Sequence, residues 1–196
     1  MQQFYPLVVS DITPLTPNAV DISFEIPESL KEAFAFESGQ YITVKHSIEG
    51  AEIRRAYSLS SKPGENRITI GVKKVPDGTF SVFANETLKK GDVLEVMPPQ
   101  GRFVFSADSE PRDIVAFAAG SGITPIMSIV KTALDINTEN RVVLVYGNKS
   151  REEAMYVVSL QELKDKYNDR LFGCDIFSRY EVVEGRCGRS EMSSGR

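Results

Sequence analysis

The sequence is poor in cysteine and histidine, and this scarcity excludes several kinds of catalytic site. Its 196 residues include two cysteines, Cys174 and Cys187, and one histidine, His46. Two cysteines cannot supply a disulfide framework or a cysteine-rich zinc site. His46 lies where apolar and polar residues alternate, which predicts a solvent-facing strand residue rather than a member of a Ser-His-Asp triad. We therefore expect no metal site.

Positive net charge and long apolar runs are also absent. The formal net charge is -4, which gives no electrostatic reason to expect a nucleic-acid partner. No apolar run approaches the roughly 18–20 residues that span a bilayer, and the first residues lack the pattern of a signal peptide. We therefore expect a protein without a nucleic-acid or membrane partner, located in the reducing cytoplasm.

The first half of the sequence has the pattern of a small antiparallel barrel. Short segments rich in β-branched and aromatic residues predict six strands. These segments are 7–12, 19–26, 40–48, 53–60, 67–75 and 92–97. One short helix is predicted at about 81–88, ending at Lys89-Lys90-Gly91. We expect residues 1–108 to form a six-stranded antiparallel barrel domain.

In the second half, apolar runs alternate with helical segments. The runs at 114–119, 141–146 and 171–177 predict strands of a parallel sheet, and the first is continuous enough to be buried on both faces. Thr124 and Pro125 have the residue types of a helix N-cap and a first helical position.

A second helix is predicted to follow Ser150, which forms a capping-box pattern with Glu153. The order of strands and helices implies parallel pairing with right-handed crossovers. Dinucleotide-binding folds normally have five or six parallel strands, whereas three are evident. We expect residues 109–180 to form an incomplete α/β domain and residues 181–196 to form a loosely ordered tail.

Arg55, Ala56, Tyr57 and Ser58 lie in one predicted strand and offer the groups that a flavin needs. Residues two apart share a face of a strand, so Arg55 and Tyr57 place a guanidinium beside an aromatic ring. Such a pair can bind a flavin phosphate and cover the isoalloxazine, while Ser58 hydrogen-bonds its reactive edge. The alternative is a barrel strand with a surface arginine and a half-buried tyrosine.

Gly78 stands before the predicted start of a helix and marks a candidate anion site. Unpaired N–H groups and the helix dipole favour negative charge at such a start, and Ser81 adds a hydroxyl. This arrangement suits a pyrophosphate. An ordinary turn with an N-cap is the alternative.

The turn at 120–125 connects a predicted buried strand to a helix. Gly120 and Gly122 allow the backbone to approach a ligand closely, and the helix start offers N–H donors. The turn departs from the G-x-G-x-x-G pattern because Pro125 replaces the last glycine. Its position between strand and helix nevertheless indicates a dinucleotide site.

Ser178 and Arg179 follow the third strand of the predicted parallel sheet. Ligands of open parallel sheets bind at the carboxyl ends of the strands, and arginine binds phosphate through two hydrogen bonds. A 2′-phosphate here would indicate NADPH rather than NADH, whereas a solvated loop arginine is the alternative. Cys174, within the strand, is interpreted as a small buried residue rather than a nucleophile.

Together these motifs resemble the ferredoxin–NADP reductase superfamily over residues 4–180. The resemblance is carried, in this order, by Gly39-Gln40-Tyr41, Arg55-Ala56-Tyr57-Ser58, Gly78-Thr79-Phe80-Ser81, Pro99-Gln100-Gly101-Arg102-Phe103, Gly120-Ser121-Gly122-Ile123-Thr124-Pro125 and Tyr146-Gly147-Asn148. Within the superfamily the sequence is most similar to reductase components of multicomponent oxygenases, of the type that serves phenylacetyl-CoA epoxidases in phenylacetate degradation.

The resemblance implies FAD and NADPH as cofactors. The implied FAD site comprises Arg55, Ala56, Tyr57, Ser58, Val72, Lys73, Gly78, Thr79, Phe80 and Ser81. The implied NADPH site comprises Gly120, Gly122, Thr124, Pro125, Ser178 and Arg179. Ser58 and Thr124 would lie beside the reacting atoms, where hydride passes from nicotinamide C4 to flavin N5. Electrons would then leave to an oxygenase or another acceptor.

The resemblance also implies that the C-terminal part of the family fold is missing. Cys187 is followed by Gly188-Arg189 rather than by the family's Cys-Gly-Pro segment, and two cysteines cannot hold the [2Fe–2S] cluster of such reductases. Two further hypotheses therefore stand beside an active reductase. One is a flavin-binding module without NADPH turnover, and the other is an assembly subunit that docks on an oxygenase without a cofactor.

Overall fold

The computed structural model describes residues 3–48, 50–106 and 110–178, and its first part is an antiparallel sheet. The strands are β1 (Tyr5–Thr16), β2 (Ala19–Glu25), β3 (Tyr41–Ile48), β4 (Ala51–Ser58), β5 (Arg67–Lys73) and β6 (Val93–Gln100). They lie in the order β4-β3-β6-β1-β2-β5, with every pairing antiparallel. A bridge between Leu59 and Ile70 closes the sheet on itself. The predicted antiparallel barrel is therefore confirmed.

The barrel has one core because its strands alternate inward apolar and outward polar side chains. In β3, Ile42 and Val44 are fully buried. His46 follows on the same face, and its half-buried ring stacks on Phe83 with 4.7 Å between the ring centroids. The predicted strand is confirmed, but the prediction of a solvent-facing histidine is wrong, because the ring continues the inward face at the end of the strand.

A helix, α1 (Thr79–Glu86), connects β5 to β6 and packs on the barrel core. Phe80 and Ala84, about one turn apart, are buried in that core. The helix lies two residues earlier than the predicted 81–88. Gly91 belongs to the turn that enters β6, where its φ of +94° favours glycine. A short 3₁₀ turn also precedes β3, at Glu28–Leu30.

The second part of the structure is a three-stranded parallel sheet, as the apolar runs predict. Its strands, in spatial order, are β7 (Asp113–Ala119), β8 (Arg141–Asn148) and β9 (Leu171–Phe177). The connecting elements are a 3₁₀ turn at Gly120–Gly122, α2 (Ile123–Ile136), α3 (Val157–Tyr167) and a 3₁₀ turn at Asn168–Arg170. Within the described ranges, no helix is long and apolar enough to cross a membrane.

Both helices pack on one face of this parallel sheet. Ala116 and Leu144 are buried against them. On the opposite face Val115 and Phe117 are 59% and 73% exposed. Cys174 lies in register with Phe117 across β8 and is exposed as well. The predictions that β7 is buried on both faces and that Cys174 is buried are wrong, because in residues 110–178 no element covers the second face.

α2 begins at Ile123, with Gly122 at its N-cap position. Thr124 is therefore not the predicted N-cap but lies in the first turn, where its hydroxyl donates to the carbonyl of Ser121 at 2.9 Å. Pro125 is the third helical residue rather than the first, and its missing N–H costs nothing in a first turn.

α3 begins at Val157, so Ser150 and Glu153 do not cap it, contrary to the predicted capping box. Tyr156 precedes the helix with a φ of +63°, in the left-handed region. Glu153 instead pairs with Lys73 of the barrel, with 3.2 Å between the carboxylate and Nζ. The segment before α3 is therefore directed toward the barrel.

The two sheets meet where α2 lies against the outer surface of the barrel. Ser128 Oγ donates to the carbonyl of Ser61 at 2.6 Å, and Lys131 Nζ donates to the carbonyl of Ser60 at 2.9 Å. Ala19 of β2 is fully buried in the core of the parallel-sheet unit. These contacts fix the position of α2 relative to the barrel. The exact domain boundaries remain predictions.

Candidate functional site

A cleft of about 710 Å³ opens at the junction of the barrel and the parallel-sheet unit. It is lined by β4, the end of β5 and the start of α1 on one side, and by the turn between β7 and α2 on the other. The predicted site residues that line it are Arg55, Ala56, Tyr57, Ser58, Lys73, Gly78, Thr79, Phe80, Ser81, Gly122, Thr124 and Pro125. Its volume suits a cofactor or substrate.

β4 contributes a cation and a neutral aromatic ring to the cleft. Arg55 is exposed and donates one hydrogen bond, from Nη1 to the carbonyl of Arg54 at 2.8 Å. The Tyr57 ring is half-buried against Phe80, with 5.6 Å between the centroids. Burial raises the pKa of Tyr57 to about 12, against a smaller lowering by the Arg55 charge. Tyr57 therefore stays neutral at physiological pH and offers a flat face beside a guanidinium.

The start of α1 forms a tight loop at one end of the cleft. A Cβ at Gly78 would lie 2.4 Å from Ser81 Oγ and 2.9 Å from the carbonyl oxygen of Val75. Ser81 Oγ in turn accepts the N–H of Val75 at 3.1 Å. The first-turn N–H groups of a helix lack intrahelical acceptors, so the loop offers donors to an anion.

Three cations line the cleft, Arg55, Lys73 and Lys74, and no carboxylate or imidazole of the described residues does so. Lys73 and Lys74 each lie 3.2 Å from a carboxylate outside the lining, Glu153 and Glu86 respectively. The cleft is thus locally basic in a protein whose net charge is -4. Such a site favours an anionic ligand.

The glycine turn before α2 is fixed by a hydrogen bond from Tyr146 and has free space beside its two glycines. Tyr146 of β8 donates its hydroxyl to the carbonyl of Gly120 at 3.1 Å and accepts the N–H of Met155 at the same distance. Gly120 has a φ of +50°. A Cβ at Gly120 or Gly122 would meet no atom within 4 Å, so the space beside this backbone is free for a ligand.

A second cavity of about 540 Å³ lies at the carboxyl ends of the parallel strands, where open α/β sheets bind ligands. It shares Lys73 and Ser121 with the first cleft and adds Lys149. The side-chain amide of Asn148, at the end of β8, is buried there near the Tyr146 hydroxyl, and its polar atoms have no hydrogen-bond partner of good geometry among the described residues. An orphaned amide is suited to a polar ligand.

Of the predicted site residues that the structure describes, three do not line the first cleft. Gly120 and Ser178 line the second cavity instead. Val72 is fully buried in the barrel core, and its carbonyl accepts the side-chain amide of Asn85 at 3.2 Å. Arg179 lies outside the described residues. The ligand roles assigned to individual residues therefore remain predictions, including those of Ser58 and Thr124.

Sequence reasoning missed several residues of the two cavities. Ser121 lies within a recognised motif, and Lys74 and Lys149 directly follow residues of the resemblance, so all three could have been included. Gly71 also lines the cleft, and a glycine inside an apolar strand signals a close approach of another group. A Cβ there would lie 2.3 Å from the hydroxyl of Tyr156. No local sequence signal places Tyr156 at this point.

Two protein families match successive parts of the chain. Residues 6–105 match the oxidoreductase FAD-binding domain, and residues 117–193 match the oxidoreductase NAD-binding domain. The first covers the barrel with its cation and ring on β4. The second covers the end of β7, the glycine turn and the strands β8 and β9.

The curated relatives that the chain matches are longer than the matched part. The chain is 39% identical to one of the subunits of 1,2-phenylacetyl-CoA epoxidase from Escherichia coli (strain K12), over 99% of the chain and 56% of that protein. It therefore spans little more than half the length of that relative. It is 30% identical to ferredoxin–NADP reductase B from Sorangium cellulosum (strain So ce56), over 91% of the chain and 69% of that protein.

Solved structures of reductases share this fold. Ferredoxin-NADP+ reductase from Plasmodium falciparum superposes with a TM-score of 0.75 over 92% of the chain and 72% of that structure, at 18% identity, which compares the fold alone. The predicted family and fold are thus confirmed. The chain belongs to the ferredoxin–NADP reductase superfamily, as an oxidoreductase with an FAD-binding domain followed by an NAD-binding domain.

Proposed function

We propose that this chain is a flavin reductase that carries electrons from NADPH through FAD to an oxygenase partner. The observation that supports this proposal is the shared cleft. Ser58 at the end of β4 and Thr124 at the start of α2 line one cavity, although one belongs to the barrel and the other to the parallel-sheet unit. Hydride transfer requires the two cofactors to be held side by side.

The barrel residues have the chemistry to hold FAD. Arg55 would bind a phosphate, the neutral ring of Tyr57 would cover the isoalloxazine, and Ser58 would hydrogen-bond its reactive edge. The loop with Gly78, Thr79, Phe80 and Ser81, beside Lys73, would receive the pyrophosphate, with Val72 supporting it from the core.

The parallel-sheet unit has the chemistry to hold NADPH. The open backbone at Gly120 and Gly122 would receive the nucleotide, with Thr124 and Pro125 toward the flavin. The second cavity would take the rest of the molecule, and Ser178 with Arg179 would bind the 2′-phosphate that distinguishes NADPH from NADH.

The cofactors would supply the hydride donor and acceptor, and the protein would supply binding and orientation. No carboxylate or imidazole lines the cleft in the described ranges. A protein acid or base is not required for hydride transfer, so this composition agrees with the proposal.

The proposed electron acceptor is based on sequence similarity to a relative. The Escherichia coli relative is part of 1,2-phenylacetyl-CoA epoxidase, which supports an oxygenase of that type as partner. Because the chain spans 56% of that relative, the acceptor and the cytoplasmic location are proposals for this chain.

A flavin-binding module without NADPH turnover is the second candidate. It is favoured by the parallel sheet, which has three strands and one uncovered face within residues 110–178. If the parallel-sheet unit binds NADPH too weakly, the bound FAD stays oxidised.

Electron transfer to ferricyanide separates these candidates. The FAD-loaded chain is mixed with NADPH or NADH, and ferricyanide reduction is followed, with the FAD-free chain as control. We expect reduction that requires FAD and is faster with NADPH. FAD-loaded protein that reduces no ferricyanide with either nucleotide would support the second candidate instead.

A further inference from the structure

Besides the Lys73–Glu153 ion pair, a hydrogen bond of Tyr156 joins the barrel to the segment before α3, close to the cleft. The hydroxyl of Tyr156 donates to Oδ1 of Asp21 at 2.5 Å, between residues on β2 and on the parallel-sheet unit. Tyr156 is 3% exposed and Asp21 is partly buried, so the bond is partly shielded from water. A charge-assisted bond of this kind is stronger than a neutral one.

Gly71 provides the gap through which Tyr156 reaches the barrel. Gly71 pairs with Asp21 in the register of β2 and β5. A Cβ at this position would lie 2.3 Å from the Tyr156 hydroxyl and 3.0 Å from Thr124 Oγ1. The missing side chain of Gly71 is therefore a notch that receives both groups.

The same notch connects Asp21 to the nucleotide turn. Thr124 packs on Gly71 beside Tyr156, and its hydroxyl donates to the carbonyl of Ser121 at 2.9 Å. Ser121 lies in the turn that lines both cavities. A continuous series of contacts therefore connects Asp21 to Tyr156, Tyr156 to Thr124 beside Gly71, and Thr124 to the turn.

The backbone before α3 is arranged to make this reach. Tyr156 adopts a φ of +63°, which is uncommon for a residue other than glycine and is retained where the surroundings demand it. Its neighbour Met155 is fixed by donating its N–H to Tyr146, which also binds the carbonyl of Gly120. Tyr146 therefore contacts the turn directly and also fixes the residue that precedes Tyr156.

We propose that Asp21 and Tyr156 are a positioning pair that holds Thr124 and the glycine turn in place over the flavin-binding strand. This inference rests on the proposed function, because its effect on rate needs hydride transfer in the cleft. Neither residue of the pair lines the cleft. The pair acts through Thr124, which lines the cleft, and Gly71, which separates the pair from it.

The test compares Tyr156→Phe with a matched control, Tyr167→Phe. Tyr167 also donates its hydroxyl to an aspartate, Asp135, at 2.6 Å, but within the parallel-sheet unit and away from the cleft. We expect Tyr156→Phe to slow flavin reduction at saturating NADPH by about ten-fold or more, since small misplacements cost large factors in rate. We expect the FAD dissociation constant of both variants, and the rate of the control, to change less than about two-fold.

Asp21 provides the second arm. Asp21→Asn keeps an acceptor for the Tyr156 hydroxyl, whereas Asp21→Ala removes it. We expect Asp21→Ala to be slowed like Tyr156→Phe, Asp21→Asn to recover most of the rate, and the double variant Asp21→Ala/Tyr156→Phe to be no slower than the slower single variant. Additive losses, or equal rates for Asp21→Asn and Asp21→Ala, would overturn the proposal.

Amide hydrogen exchange separates a failed pair from a failed proposed function. We expect faster exchange at residues 119–127 in Tyr156→Phe and Asp21→Ala than in Tyr167→Phe and the parent chain. This readout needs no NADPH turnover. If NADPH does not reduce the flavin of the parent chain, the proposed function fails, and the exchange rates decide the pair alone. Unchanged exchange at 119–127 would overturn the proposed pair.

Discussion

The barrel and the parallel-sheet unit differ in how completely each encloses its own apolar surface. The barrel closes through the Leu59–Ile70 bridge around one continuous core. The parallel sheet buries one face under α2 and α3, while Phe117 and Phe172 on the other face are 73% and 49% exposed. The barrel therefore encloses a core of its own. The nucleotide-binding half takes part of its support from the barrel.

The largest expected effect comes from breaking the barrel core. Phe24 of β2 is fully buried. Phe24→Ala is expected to lower the free energy of unfolding by about 3–5 kcal/mol, through lost burial and a residual cavity. Urea denaturation measures it. Phe117→Ala on the uncovered face is the control, and a similar loss in that variant would remove the contrast between the two halves.

The next effect concerns the junction and depends on pH. Burial raises the pKa of Asp21 to about 6 from an ordinary 3.8, against smaller opposing effects of the Tyr156 hydrogen bond, of Lys131 and Arg67, and of a Ser60 hydrogen bond. The folded state thus holds this proton more tightly than the unfolded chain. Its contribution to stability is complete below about pH 4 and is lost as the pH rises through about 6.

Asp21→Asn removes this titration while keeping the hydrogen-bond acceptor. The free energy of unfolding of the variant, relative to the parent, should therefore rise by at most about 3 kcal/mol between pH 4 and pH 7. Asp135 is the control, because hydrogen bonds from Lys62 and Tyr167 lower its pKa to about 2. Removing this carboxylate should change the pH dependence of stability in the opposite direction. A pH-independent difference for Asp21→Asn would contradict the assignment.

A comparable effect is expected at the flavin site. Arg55→Ala should weaken FAD binding by about ten- to one-hundred-fold, because charged hydrogen bonds to phosphate contribute roughly 1.5–3 kcal/mol. Quenching of flavin fluorescence gives the dissociation constant. Arg54→Ala is the matched control, since Arg54 does not line the cleft and its side chain pairs with Glu52 at 2.7 Å. Equal losses in both variants would show that position 55 has no special role.

The smallest expected effect lies on the uncovered sheet face. Phe117→Asp should change the free energy of unfolding by less than about 0.5 kcal/mol, since the side chain is largely in water already. It should nevertheless lower the fluorescence of a bound apolar dye such as ANS, because it breaks the exposed apolar surface. Unchanged dye binding together with a large loss of stability would mean that this face is covered in solution.

Strand positions could be predicted because each strand shows its own local pattern. The alternation of Ile42 and Val44 in β3 and the apolar run of β9 are visible within a few residues, and the bounds of β9 were predicted at Leu171–Phe177. The burial of Cys174 was predicted wrongly for the opposite reason. It depends on which sheet faces are covered, and this is not a local property.

Helix starts and long-range pairs were beyond local reasoning. The capping-box pattern at Ser150 was outweighed by the Glu153–Lys73 ion pair and by the left-handed backbone at Tyr156. The Asp21–Tyr156 bond joins residues 135 positions apart, and no motif links them. The glycine-rich and cationic segments of the cleft could be predicted from local sequence. Glycine allows the backbone to approach a ligand closely, and arginine binds anions.

Anaerobic mixing of the FAD-loaded chain with NADPH, followed by visible flavin absorbance, tests the central claim most directly. If the shared cleft holds both cofactors in reacting positions, the flavin bands bleach, and they bleach more slowly when the transferred hydrogen of NADPH is replaced by deuterium. Bound flavin whose bands persist at saturating NADPH would contradict the claim that this chain joins the two sites into one reacting centre.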